Sequence, residues 1–215
     1  MDPSTPLPSA RDEREERIAE LEARISRRRG PGVKLPVALF AIAACVALLW
    51  MQRLDVGYHF SPKEPLSLGA EGDYHFDQLA SNRYAQVHGV PTLRGAYSVE
   101  EGTTYVVVGL RDTPLLVRRQ AFPSEEWKVG TLPPQPVQSP FAVRGRLLSR
   151  QDAVRYEEGF RQLEPLGEVR PRNGQLWILI EGERPGENPV TLLWILGLSA
   201  FAVVHAWFAL RAVRR

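Results

Sequence analysis

The sequence predicts a membrane-anchored α+β protein: two transmembrane helices flanking a mainly antiparallel β extracytoplasmic domain that carries one accessory helix. Three observations lead there. Residues 35–51 (LPVALFAIAACVALLWM) and 189–210 (PVTLLWILGLSAFAVVHAWFAL) hold no Asp, Glu, Lys or Arg. Basic residues gather just outside both runs, and short β-branched stretches punctuated by turn residues fill the space between them. As helices the two runs reach roughly 26 and 33 Å at about 1.5 Å per residue, which brackets a hydrocarbon core of about 30 Å. Lipid offers the backbone no hydrogen bonds, so such runs are helical there.

Residues 1–34 form the first segment, a cytoplasmic tail. Its start, MDPSTPLPSA, has the Pro- and Ser-rich composition of disordered chain. The next stretch, Arg11 to Arg29, is rich in strong helix formers. Ile18, Leu21 and Ile25 line up there as a narrow seam of the coiled-coil type. Two readings follow: homo-oligomer formation through this helix, or a solvated charged helix. Gly30, Pro31 and Gly32 break it before the first span, residues 35–51.

Orientation comes from the flanks. Arg27, Arg28, Arg29 and Lys34 precede the first span, and Arg211, Arg214 and Arg215 follow the second, residues 188–210. Basic residues near span ends stay cytoplasmic. Residues 52–187 are therefore expected outside, with both ends, including the basic terminus 211–215, inside. Trp50 and Trp207 sit near span ends, where indole rings favour the interface. A cleavable signal peptide begins with a short basic stretch, whereas 34 mostly polar residues come first here. Ile42-Ala43-Ala44-Cys45 matches a lipoprotein processing box, yet VALLWM follows where the chain should turn polar. Cys45 reads instead as a small buried hydrophobe. The acid-rich tail is unlike an organelle transit peptide, so a bacterial inner membrane is the expected location. Ala43 with Ala47, and Ala202 with Ala206, are small pairs at helical spacing that would let spans approach.

The single cysteine excludes an internal disulfide and any thiolate zinc cluster. Residues 52–187 carry 16 Lys and Arg against 18 Asp and Glu, a net of −2, with no basic stripe. Nucleic acid is therefore not the expected partner. Strand signals cover residues 84–90, 103–110, 114–119, 141–148 and 174–181. Gly109, Arg111, Asp112 and Thr113 are expected to form a hairpin turn joining the second and third. Ser149 and Asp152 stand at capping-box spacing ahead of the accessory helix, whose expected buried face is Ala153, Val154, Phe160 and Leu163, with Gly159 weakening it. A second short helix is expected around residues 75–81. The proline-rich stretch 133–140 cannot be a ladder strand. Together these suggest a partly closed barrel.

Candidate chemistry is sparse. His59, His75 and His88 could supply imidazole to a metal, with Asp73 and Asp77 beside His75, but their spacings match no defined site, and aromatic-flanked structural histidines are the ordinary alternative. Arg118 and Arg119 must point to opposite faces of a strand, and surface ion pairing is expected of them. His205 lies within the second span, where an ionisable group is costly. Its neutral imidazole could take a haem iron as cofactor, with Trp207 near by. No nucleophile elbow, phosphate loop or HExxH motif occurs.

Several short motifs occur in a telling order. Trp50-Met51-Gln52-Arg53-Leu54 ends the first span, and Val87-His88-Gly89 follows early in the domain. Leu116-Val117-Arg118-Arg119-Gln120-Ala121-Phe122-Pro123 and Val143-Arg144-Gly145-Arg146-Leu147 come later. This order resembles the surfeit-locus family of cytochrome-oxidase assembly proteins, which carry an anchor at each end and a β-rich outer domain. The chain departs from the family pattern where Gln120 and Ala121 replace a Gly-Trp pair and where His205 lies deeper in its span. The resemblance implies a non-enzymatic assembly factor acting on a membrane complex. Three functions are thus expected in turn: an accessory factor binding the lipid bilayer and another membrane or envelope protein; a haem- or cofactor-handling oxidase assembly protein using His205; or an envelope enzyme using His75, Asp77 or His88.

Overall fold

In the computed structural model, residues 14–15, 17–22 and 35–213 are described. Residues 14–15 and 17–22 are helical, and Ile18 and Leu21 are exposed. Ile25, the third member of the expected seam, lies outside the described residues. The molecule divides into two compact units, Met1–Leu48 with Gly197–Arg215, and Leu49–Leu196.

The two apolar runs are helices. The first, α1, is Leu35–Met51, and the helix at the far end, Pro189–Val213, is long and apolar enough on its own to cross a membrane. Helix α1 is shorter, at 17 residues, and reaches that length only if α2 (Arg53–His59), beyond a bend at Gln52, is counted with it. Cys45 is buried, as its size and apolar neighbours suggest, whereas Ala43 and Ala47 are exposed.

Nine strands follow: β1 (Leu66–Ser67), β2 (Gly69–Ala70), β3 (Asp73–Tyr74), β4 (Arg83–Gly89), β5 (Pro91–Glu100), β6 (Thr103–Leu110), β7 (Leu115–Gln120), β8 (Phe141–Ser149) and β9 (Trp177–Glu181). Helix α3 (Glu157–Leu163) precedes β9, and the apolar helix Pro189–Val213 closes the order as α4. Seven strands form one sheet in the order β1-β4-β8-β9-β7-β6-β5, with β2 and β3 as a separate ribbon. Most neighbours are antiparallel, but β7 runs parallel to β9 and β1 parallel to β4. The sheet is open, with β1 and β5 at its edges, so it does not close into a barrel. One face gathers Ala85 and Val87, Val106 and Val108, Leu115 and Val117, Val143 and Leu147, and Leu179 into one core that also takes Leu68 and Tyr97 from near the two edges. The other face packs Val107, Leu116, Leu148, Ile178 and Ile180 against Phe160 and Leu163 of α3. Central strands buried on both faces read as continuous apolar runs, and VVV, LLV and WILI are those runs. Each buried Leu, Ile or Phe contributes about 1.5–3 kcal/mol of transfer free energy.

Particular residues explain where sequence and structure part. Gly109 is a strand residue paired with Leu116, not a turn residue, and a Cβ there would stand 2.0 Å from the Glu168 carbonyl oxygen. The turn itself is made by Asp112, at φ 59°, and by Thr113, whose hydroxyl donates to the Leu110 carbonyl and accepts from Leu115 N–H. Ser149 and Asp152 hydrogen-bond to each other, a 3₁₀ turn (Val154–Tyr156) intervenes, and the helix starts only at Glu157. Ala153, Phe160 and Leu163 are buried, but Val154 is exposed, while Gly159 sits against Val107. Residues 75–81 yield one 3₁₀ turn, Phe76–Gln78. Strand β5, with Gly95 and a register break between Pro91 and Gly95, gave no clean alternation.

Candidate functional site

Strand β8 alternates Val143, Gly145 and Leu147 toward the core of Val87 and Val117, which turns Arg144, Arg146 and Leu148 to the other face. Arg146 therefore emerges among apolar neighbours and is almost wholly buried. Its guanidinium Nε donates to Asn82 Oδ1 at 2.9 Å and its Nη1 to Asp55 Oδ1 at 2.7 Å, with Glu183 Oε2 at 3.6 Å. The group also lies 4.7 Å over the Tyr58 ring. Asn82, in the left-handed region at φ 63°, donates through Nδ2 to the Leu54 carbonyl and through its backbone N–H to the Leu147 carbonyl. Tyr58 donates its hydroxyl to the Glu183 carbonyl at 2.7 Å. One arginine and one asparagine thus tie α2 and the segment after β9 to the sheet.

Around this node opens a cleft of about 560 Å³, walled by α2, by the segment 182–188 and by the first turn of α4. Its lining carries both signs, with Arg146, Arg155 and Arg184 among Asp55, Glu183 and Glu187. Burial pushes the Glu183 carboxyl above the usual carboxylate range, and Arg146 offsets only part of that. Burial, reinforced by Glu183, pushes the Tyr58 hydroxyl far up, so Tyr58 remains a donor. The arrangement presents donors and acceptors to a bound group.

A second arginine node lies on the opposite face. Arg119 is buried on the face of Leu115 and Val117 with Glu125, the two joined by a bidentate pair at 2.6 and 2.7 Å. Surface ion pairing was the expectation for Arg119, and the structure corrects it: its strand face turns inward beneath the irregular segment 121–140. Glu125 also accepts from Phe122 N–H and Val137 N–H, so it pins that segment down. Burial alone would raise the Glu125 carboxyl, yet Arg119 and the two backbone donors outweigh it and hold the group below its ordinary value. Arg118 pairs with Glu100 at 2.9 Å, but its own side chain is only 11% exposed, its guanidinium 3.9 Å from the Tyr105 ring, so the expected surface pair is partly buried.

The sequence-predicted histidines are dispersed. His59 lies in the cleft wall, with Nδ1 buried and without a hydrogen-bond partner among the described residues. His75 approaches Asp73 at 3.9 Å, and His88 pairs with Gln86 across 2.9 Å on β4. Among the described residues no three His, Cys, Asp or Glu side chains are placed to hold a metal ion. His205 Nδ1 lies 2.9 Å from the Phe201 carbonyl on α4. A carbonyl only accepts, so Nδ1 carries the proton and a neutral ring keeps its lone pair at Nε2.

Arg146 had stood out in the sequence only within the motif at residues 143–147, and Asp55, Tyr58 and Glu183 had not stood out. The available signal was a charge sharing a strand face with Leu148 and cross-strand Ile180. Compared with known proteins, the chain matches no family model, no curated protein and no solved structure.

Proposed function

We propose that this chain is a two-pass protein of a bacterial inner membrane, with both termini cytoplasmic, whose residues 52–187 serve outside as a non-enzymatic accessory or assembly module for another membrane complex. The observation that carries this reading is apolar surface. Phe40, Val46, Leu193, Trp194, Val203 and Trp207 all project exposed from α1 and α4, area that lipid or a membrane partner would cover. The tethers are short: α2 starts two residues after Met51, and β9 ends at Glu181, close before Pro189. A module so held works at high effective concentration on membrane neighbours. The segment after β7 supports a protein partner, since Phe122, Val129 and Leu132 are exposed there, Leu132 by 93%.

The resemblance to surfeit-locus assembly proteins points the same way. The three domain motifs behind it fall on β4, β7 and β8. Extraction of the tagged full chain in mild detergent is expected to bring down one membrane protein in near-stoichiometric amount. Purification of the chain alone would count against the proposal.

A second reading is haem or cofactor handling through His205. What favours it is the Phe201 carbonyl, which fixes the ring with Nε2 free, as ligating histidines are held. Haem-replete expression should then give a Soret band that His205→Ala removes; a haem-free spectrum would dismiss it.

A further inference from the structure

We propose that the cleft around Arg146 binds the headgroup of a phosphoethanolamine phospholipid, its phosphate on the arginines and its ammonium on the carboxylates. The inference rests on the membrane reading above. At about 560 Å³ the cleft falls within the roughly 300–1,000 Å³ of small-molecule sites. Its place in the chain matters. Asp55, Tyr58 and His59 come directly after α1, and Thr191 belongs to the first turn of α4, so the walls sit where apolar helix gives way to polar domain, at headgroup depth.

Charge selects the class of lipid. The lining holds three arginines and three carboxylates, Arg146 beside Asp55 and Glu183 and Arg184 beside Glu187, so an anionic headgroup gains nothing net, whereas a zwitterion finds both partners. One donor has valence left, and one ring nitrogen of the wall is unpartnered. Among the described residues Arg146 Nη2 makes no hydrogen bond, and His59 Nδ1 is buried and unpartnered. A phosphate oxygen accepts from Arg146 Nη2, and guanidinium suits phosphate. On the other side, Asp55, Glu183 and Glu187 only accept, and a primary ammonium brings three N–H donors to them. Choline brings none and would need an open aromatic face, while the Tyr58 ring is already covered by Arg146.

The test uses the full chain purified from mixed micelles with equal phosphatidylethanolamine, phosphatidylcholine and phosphatidylglycerol, with retained lipid read by native mass spectrometry. The expected result is one retained phosphatidylethanolamine, preferred about tenfold, the worth of one charge-assisted hydrogen bond. Arg146→Gln should abolish the preference. Because that change also loosens the node, Arg184→Gln and Glu187→Gln serve as the second test: both side chains are exposed and pair with each other at 3.4 Å. Both should lower the preference at an unchanged thermal midpoint. Equal retention of the three lipids, or a preference untouched in both variants, would overturn the site. Competition by glycerophosphoethanolamine as strong as by the lipid would reassign the site to a soluble ligand and overturn the lipid. Alkaline carbonate washing of membranes separates the two claims. A chain that stays in the pellet without lipid preference leaves the anchoring intact and removes only the site; a chain released by the wash removes both.

Discussion

Two arginines, 27 positions apart, meet carboxylates on opposite faces of one sheet, Arg119 with Glu125 and Arg146 with Asp55 and Glu183. Both have tyrosines near by. Tyr97, in the first region, has its hydroxyl buried without a partner and pushed up to about 12 by burial and then by Glu125. The two sites differ in closure. Arg119 and Glu125 expose 2% and 0% of their side chains, and every oxygen of Glu125 is engaged, so nothing else can bind. Arg146 is nearly as deep, at 10%, but its partners Asp55 and Glu183 are 56% and 41% exposed and border a cleft. The same chemistry is sealed as a rivet in one place and borders an open cleft in the other, and access to solvent makes the difference.

The largest expected effect breaks the sealed pair. Glu125→Ala leaves a buried guanidinium uncompensated and should cost about 3–5 kcal/mol, read as a lower denaturation midpoint of the detergent-solubilised chain. Replacing Arg119 and Glu125 together by Met and Leu should recover most of it; equal loss in single and double variants would contradict the rivet. Acid should act on the same pair. The folded Glu125 carboxyl lies below its ordinary value, so its contribution is complete above the unfolded value of about 4.3 and is lost as pH falls through the lower folded one. Thermal midpoints between about pH 6 and 3 should drop steeply for the native chain and less for Glu125→Gln.

Arg146→Gln is expected to be milder, on the order of 1–3 kcal/mol, and local. Hydrogen exchange should quicken in residues 53–61 and 182–188 while β6 and β7 stay protected. Uniform quickening would show that the second node is also structural. Arg184→Gln, at the exposed rim, should change stability by no more than about 0.5 kcal/mol.

Much of the scaffold was legible in the sequence. The limits of α1 and β6 coincide with their apolar runs, because a long uncharged helix and a VVV core strand leave few alternatives. Strand β5 was not legible, since Gly95 and the register break interrupt its alternation. Nor was the insertion of β9 between β8 and β7, which depends on pairing across distant sequence. The nodes were hidden for a related reason. Arg119 and Glu125 are six residues apart, but Arg146, Asp55 and Glu183 meet only once the sheet forms. Of the histidines singled out, only His59 lines the cleft.

The central claim is that apolar helices at both ends hold a water-facing domain against one side of a membrane. Protease added to sealed, right-side-out cells tests it most directly. Cleavage confined to residues 52–187, with both termini protected, is the predicted result; cleavage next to Met1 or Arg215, with the domain spared, would contradict it.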